Sequence, residues 1–153
     1  MLQTLTHFYR LTIIKRLSAH KMKLFLKYHG PAILWALFVL VICSVHLDSV
    51  DKSPLFFEGF DKLTHCGLFF TLIVLVCFGV IRQQKPRRLT YTGVFIIWIV
   101  SIIFGGLIEI LQISIFTWRT GDWNDLFCDV LGACMGVFSV MLTIEAIGKN
   151  EKK

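Results

Sequence analysis

Glu109, Gln112, Asp125 and Asp129 stand within an otherwise apolar stretch running from Gly105 to Gly136. Arg119 and Asp122 lie between them, and Asp61, Lys62 and His65 open an earlier apolar run. Residues of these types can do three kinds of chemistry. Lys62 and Arg119 can bind an anionic headgroup, since Arg suits bidentate recognition of phosphate or carboxylate and acidic neighbours can hold it in place. His65, Glu109, Asp125 and Asp129 are ligand types for a divalent cation. Their spacing matches no standard metal motif, however, and neither a metal nor another cofactor is expected. Glu109 or His65 can act as a general acid or base in a low-dielectric setting. There is no nucleophile elbow, P-loop or H-E-x-x-H, so no catalytic residue is assigned.

The elements that must position these groups follow from the composition. The chain has 153 residues, 56% of them hydrophobic, which is enough for one domain and too apolar for an ordinary soluble one. Four tracts approach or reach the roughly 20 residues that cross a bilayer. The spans are expected over about 31–47, 63–81, 89–112 and 125–145, within a four-helix transmembrane domain over 31–147. A soluble chain of this size could not cover four such helices with a polar shell. The expected fold is therefore all-α, a polytopic four-helix membrane bundle.

Charge placement sets the expected orientation. Lys and Arg gather before the first tract (Arg10, Lys15, Arg16, Lys21, Lys23, Lys27), in the second connection (Arg82, Lys85, Arg87, Arg88) and in the tail over 148–153. The other two connections hold only Lys52, Lys62 and Arg119. The positive-inside rule then puts both termini in the cytoplasm. This accounts for the +6 net charge, and no nucleic-acid partner is expected. Residues 1–30 form a basic segment with two open readings: an interfacial amphipathic helix, or a stretch ahead of a natural start at Met22. The first span has no small-residue cleavage site and reads as a retained anchor. The five cysteines form no C-x-x-C pair and read as small packing residues.

Depth and helical phase bring the polar groups together. Glu109 lies 20 residues beyond Leu89, about 30 Å of helix rise, and so sits near the outer hydrocarbon boundary. Asp61 and Asp125 open their spans at that surface, with His65 and Asp129 one turn deeper. Ser101, Gly105, Glu109 and Gln112 form one stripe, and Asp125, Asp129, Gly132 and Gly136 form another. Gly105, Gly132 and Gly136 are expected to let helices approach closely. The polar groups then face the bundle interior and not lipid. Duller roles stand beside this one: Asp61 and Asp125 as helix caps, His65 satisfied by Asp61, and Glu109 clasped by Lys62, Arg119 or His65.

The constellation resembles the VanZ-like membrane protein family. The residues that carry the resemblance are Phe60, Asp61, Lys62, His65 and Phe69; Gly105, Glu109 and Gln112; Arg119, Gly121, Asp122 and Asp125; and Gly132, Ala133 and Gly136. It covers roughly residues 31–144. The resemblance implies a multi-pass protein of the bacterial inner (cytoplasmic) membrane, part of the cell envelope and linked through the family to teicoplanin resistance. It implies a polar motif over Asp61, Lys62, His65, Glu109, Gln112, Arg119 and Asp125. The family often has Asn where this chain has Asp129, which adds a negative charge here and weakens a simple anion site.

The expectation is an outward-facing cluster of Asp61, Lys62, His65, Glu109, Gln112, Arg119, Asp125 and Asp129. Its expected partners are the lipid bilayer and an anionic envelope lipid or glycan-precursor headgroup. The alternative is a scaffold whose cluster only locks the helices. An ion pathway is disfavoured, because the inner halves of the spans carry no matching ionisable groups.

Overall fold

A computed structural model describes residues 2–44, 59–84, 89–115 and 122–150, with side chains described from residue 18 to residue 147 of these segments. The architecture is four helices in chain order: α1 (Leu2–Ser44), α2 (Phe60–Gln83), α3 (Tyr91–Ser114) and α4 (Trp123–Asn150). Each contains a stretch long and apolar enough to cross a membrane: Ser18–Ser44, Phe60–Gln83, Tyr91–Ser114 and Trp123–Ile147.

Three of these stretches, Phe60–Gln83, Tyr91–Ser114 and Trp123–Ile147, stand beside the expected 63–81, 89–112 and 125–145. The first differs. Among the described residues its apolar stretch lies within Ser18–Ser44, the helix runs through Gly30 and Pro31 without a break, and residues 45–47 lie outside the described residues. Pro31 has no N–H, so the Lys27 carbonyl loses its usual donor. The φ of proline is nevertheless helical, and membrane helices tolerate it where neighbours support the backbone. α1 accordingly continues on both sides of Pro31, from Leu2 to Ser44.

Helix ends show why each element starts where it does. Thr90 caps α3, its hydroxyl accepting from the Gly93 amide at 3.1 Å. Before α2 stands Gly59 at φ +86°, a left-handed conformation that glycine adopts without strain. Asp122 precedes α4, and its carboxylate accepts from the Asn124 amide at 2.9 Å. Inside the helices, Thr64, Thr71, Ser101, Ser114 and Thr143 return their hydroxyls to the carbonyl four residues earlier. In hydrocarbon, where no water satisfies a hydroxyl, that local bond keeps each one tolerable.

The pairing of α2 with α4 is the most extensive among the described helices. A Cβ on Gly132 would overlap the Cys66 backbone, and one on Gly136 would lie 2.9 Å from the Phe70 carbonyl. Two glycines four apart on α4 thus lie on two carbonyls four apart on α2, as the small-xxx-small spacing expects. At the other end, a Cβ on Gly79 would meet the Tyr28 carbonyl at 2.8 Å, bringing α1 against α2. The Trp35 indole adds a cross-helix bond to the Leu68 carbonyl at 3.0 Å.

The core joins Val39 and Cys43 of α1, Leu68, Phe69 and Leu72 of α2, and Ile108 of α3. A second cluster sets Ile73 and Cys77 of α2 against Ala133 of α4. Large apolar side chains remain outside on every helix, among them Leu34, Phe78, Ile103 and Phe138. In a protein surrounded by acyl chains this is the expected surface.

Candidate polar site at one end of the bundle

The ends of α1 and α3 and the starts of α2 and α4 lie together, and the ionisable groups collect there in two layers. The outer layer centres on Lys62 of α2. Its ammonium donates to Asp122 at 3.0 Å and Asp125 at 3.3 Å, and reaches Asp61 at 3.5 Å. The side chains of Asp61, Lys62 and Asp122 are 44%, 36% and 39% exposed, so this layer is open. The Asn124 amide, and then Lys62, hold the Asp122 carboxyl below the usual carboxylate range.

The inner layer is closed. His65, Glu109, Gln112, Asp125 and Asp129 are all buried. His65 Nδ1 lies 3.0 Å from Asp129 Oδ1, and its Nε2 lies 3.9 Å from Asp125 Oδ2. Glu109 Oε2 accepts from the Asp122 amide at 3.0 Å. Gln112 donates from Nε2 to the Cys43 carbonyl at 2.9 Å, tying α3 to α1. Glu109 Oε1, Gln112 Oε1 and Asp129 Oδ2 are buried with no hydrogen-bond partner. All three are oxygens, so the partner that would satisfy them is a donor or a cation.

Gly105 serves this layer in its own way. A Cβ there would lie 2.8 Å from Asp129 Oδ2 and 3.2 Å from the Phe69 ring. It makes room for a carboxylate, whereas Gly132 and Gly136 admit a helix backbone.

Most of the expected cluster is therefore brought together: Asp61, Lys62, His65, Glu109, Gln112, Asp125 and Asp129. Arg119 lies outside the described residues. Several expected pairings change. Asp122, not Asp125, caps α4, and α2 has no side-chain cap at all. His65 turns to Asp129 and not to Asp61. Glu109 is held by a backbone amide and not by Lys62. Lys62 is engaged by three carboxylates, which leaves it poorly placed as the anchor of an anion. Asp122 is the residue that sequence reasoning undervalued. The signal was present in D-W-N-D, an aspartate just ahead of a helical run.

Away from this end, the buried polar set holds only Ser101, among the described residues. An apolar groove lined by Ala36, Leu72, Val76, Val100 and Phe104 opens between α1, α2 and α3. Phe104 packs on Phe69 at 6.1 Å between centroids, so the groove ends beside the inner polar layer.

Four apolar helices with one polar end define a multi-pass helical membrane protein. The chain belongs to the VanZ/LLP1 family, whose model matches residues 4–144. No curated protein and no solved structure matches it.

Proposed function

We propose that the polar end of this VanZ-family protein binds the headgroup of an envelope lipid or glycan precursor. The setting is the inner membrane of a bacterium, with both termini cytoplasmic and the polar end outside. The observation that carries this reading is the exposed layer of Asp61, Lys62 and Asp122 at the ends of the spans, the depth at which headgroups lie. The apolar groove ending at Phe104 offers acyl chains a course toward it. The layer is rich in acceptors, so it favours a headgroup carrying hydroxyl or ammonium donors over a bare phosphate. Through the family, the proposed role extends to lowering teicoplanin susceptibility.

A test is lipid retention by the purified full-length protein, read by native mass spectrometry, wild type beside Asp61→Asn and Asp122→Asn. The reading expects a retained envelope lipid or precursor that both variants lose, Asp61→Asn at unchanged melting temperature. A second reading is supported by the cross-helix bonds Lys62–Asp125 and Gln112–Cys43. On that reading the end is a clasp. The same variants would then lower the melting temperature, and wild type would retain no specific lipid.

A further inference from the structure

Three helices each bring one buried ligand to a single point: His65 from α2, Glu109 from α3 and Asp129 from α4. One ligand atom from each lies within 4.8 Å of the others. The residues are 3%, 5% and 0% exposed. A second observation is independent of this convergence. Glu109 Oε1 and Asp129 Oδ2 are buried without a hydrogen-bond partner. Asp129 Oδ2 is turned to α3, where the missing side chain of Gly105 leaves it room one turn from Glu109.

The charge here is unbalanced. The nearest ammonium, Lys62, already serves Asp61, Asp122 and Asp125. Among the described residues that leaves Glu109 and Asp129 to His65 alone. Two carboxylates, each with an unsatisfied oxygen and away from water, are costly unless a positive charge joins them. The space is closed, which favours a single ion over a larger group.

We propose that His65, Glu109 and Asp129 form a site for one divalent cation of the zinc or manganese type. One imidazole and two carboxylates suit those ions better than magnesium or calcium, which take all-oxygen sets. Metal–ligand bonds of about 2.0–2.2 Å put tetrahedral ligands about 3.3–3.6 Å apart. The three atoms, now within 4.8 Å of one another, would draw together by up to about 1.5 Å on binding. Asp125, 3.9 Å from His65 Nε2, stands where a carboxylate orients a ligating imidazole. The ion would join α2, α3 and α4 at one point and offset the acidic end. The site rests on its own geometry and does not require the headgroup reading.

The test uses full-length wild-type protein in nanodiscs, stripped with a chelator and titrated with Zn²⁺ or Mn²⁺ alone at high salt. Calorimetry and elemental analysis should give one ion per chain, with a chelator-reversible rise in melting temperature. Glu109→Gln and Asp129→Asn should each weaken binding at least about 10-fold. Because a variant can fail to fold, helicity is checked by circular dichroism. Wild type loaded with Mn²⁺ is also examined by pulsed electron paramagnetic resonance for nitrogen coupling from the imidazole. The proposal is overturned if folded wild type binds no ion at this stoichiometry, which would leave a proton to hold the pair. It is equally overturned if binding vanishes at high salt, if folded variants bind like wild type, or if no nitrogen coupling appears. Lipid retention measured with and without chelator separates this outcome from that of the headgroup reading.

Discussion

At the scale of single residues, Lys62 is engaged by three carboxylates among the described residues. One ammonium has three protons, and three carboxylates surround it. Lys62→Met would leave buried Asp125 only the His65 ring, 3.9 Å away, while Asp61 and Asp122 stay exposed. We expect a loss of about 1–2 kcal/mol, between the values for surface and buried pairs, measured by thermal unfolding in detergent. Asp122 adds a pH dependence of definite sign. Its carboxyl is held below the usual range by the Asn124 amide and Lys62. The stability it contributes is complete above the ordinary aspartate range and is lost as acid takes the pH below that range. Melting temperature against pH should therefore fall on the acid side, and less steeply in Asp122→Asn. Gln112 matters for a different reason. Its bond to the Cys43 carbonyl crosses between helices, and Gln112→Leu should cost about 0.5–1.5 kcal/mol by the same assay.

At the scale of elements, the α2–α4 contact depends on having no side chain at two positions. The Cys66 carbonyl occupies the space of a Gly132 Cβ, so even Gly132→Ala must push the helices apart. An overpacked contact costs about 1–3 kcal/mol. Because Lys62, His65, Asp125 and Asp129 span this same pair, the substitution should also disturb the polar end. We expect a lower melting temperature for Gly132→Ala, whereas Gly106→Ala, where a Cβ would meet nothing within 4 Å, should melt like wild type. Sequence phase placed Gly132 and Gly136 on a contact face. It did not distinguish their role from that of Gly105, which faces a side chain and not a backbone.

At the scale of the whole molecule, the buried ionisable side chains among the described residues all lie at one end. Ser101 is the only buried polar residue beyond that end among those described, and it donates to Ile97 at 2.9 Å. The proposed orientation makes its own prediction. A fluorescent protein fused after Lys153 should glow in cells, and alkaline phosphatase fused there should be inactive. The opposite pattern would place the polar end in the cytoplasm and remove the envelope headgroup as its ligand.

The sequence by itself determined that the chain carries four long apolar helices, with polar residues gathered toward one end of three of them. Both depend on counting along a helix, where rise and phase are fixed by backbone geometry. It placed Asp61, Lys62, His65, Glu109, Gln112, Asp125 and Asp129 in one layer for that reason. The first span was less legible, because Pro31 reads locally as a boundary, while a helix supported by its neighbours runs through it. Partner choice was decided only by the tertiary structure. Whether His65 meets Asp61 or Asp129, or Glu109 meets Lys62 or the Asp122 amide, depends on how closely α4 approaches α2 and α3. That approach is set by which glycine meets a backbone and which meets a carboxylate, a fact of three dimensions that no spacing along one chain contains.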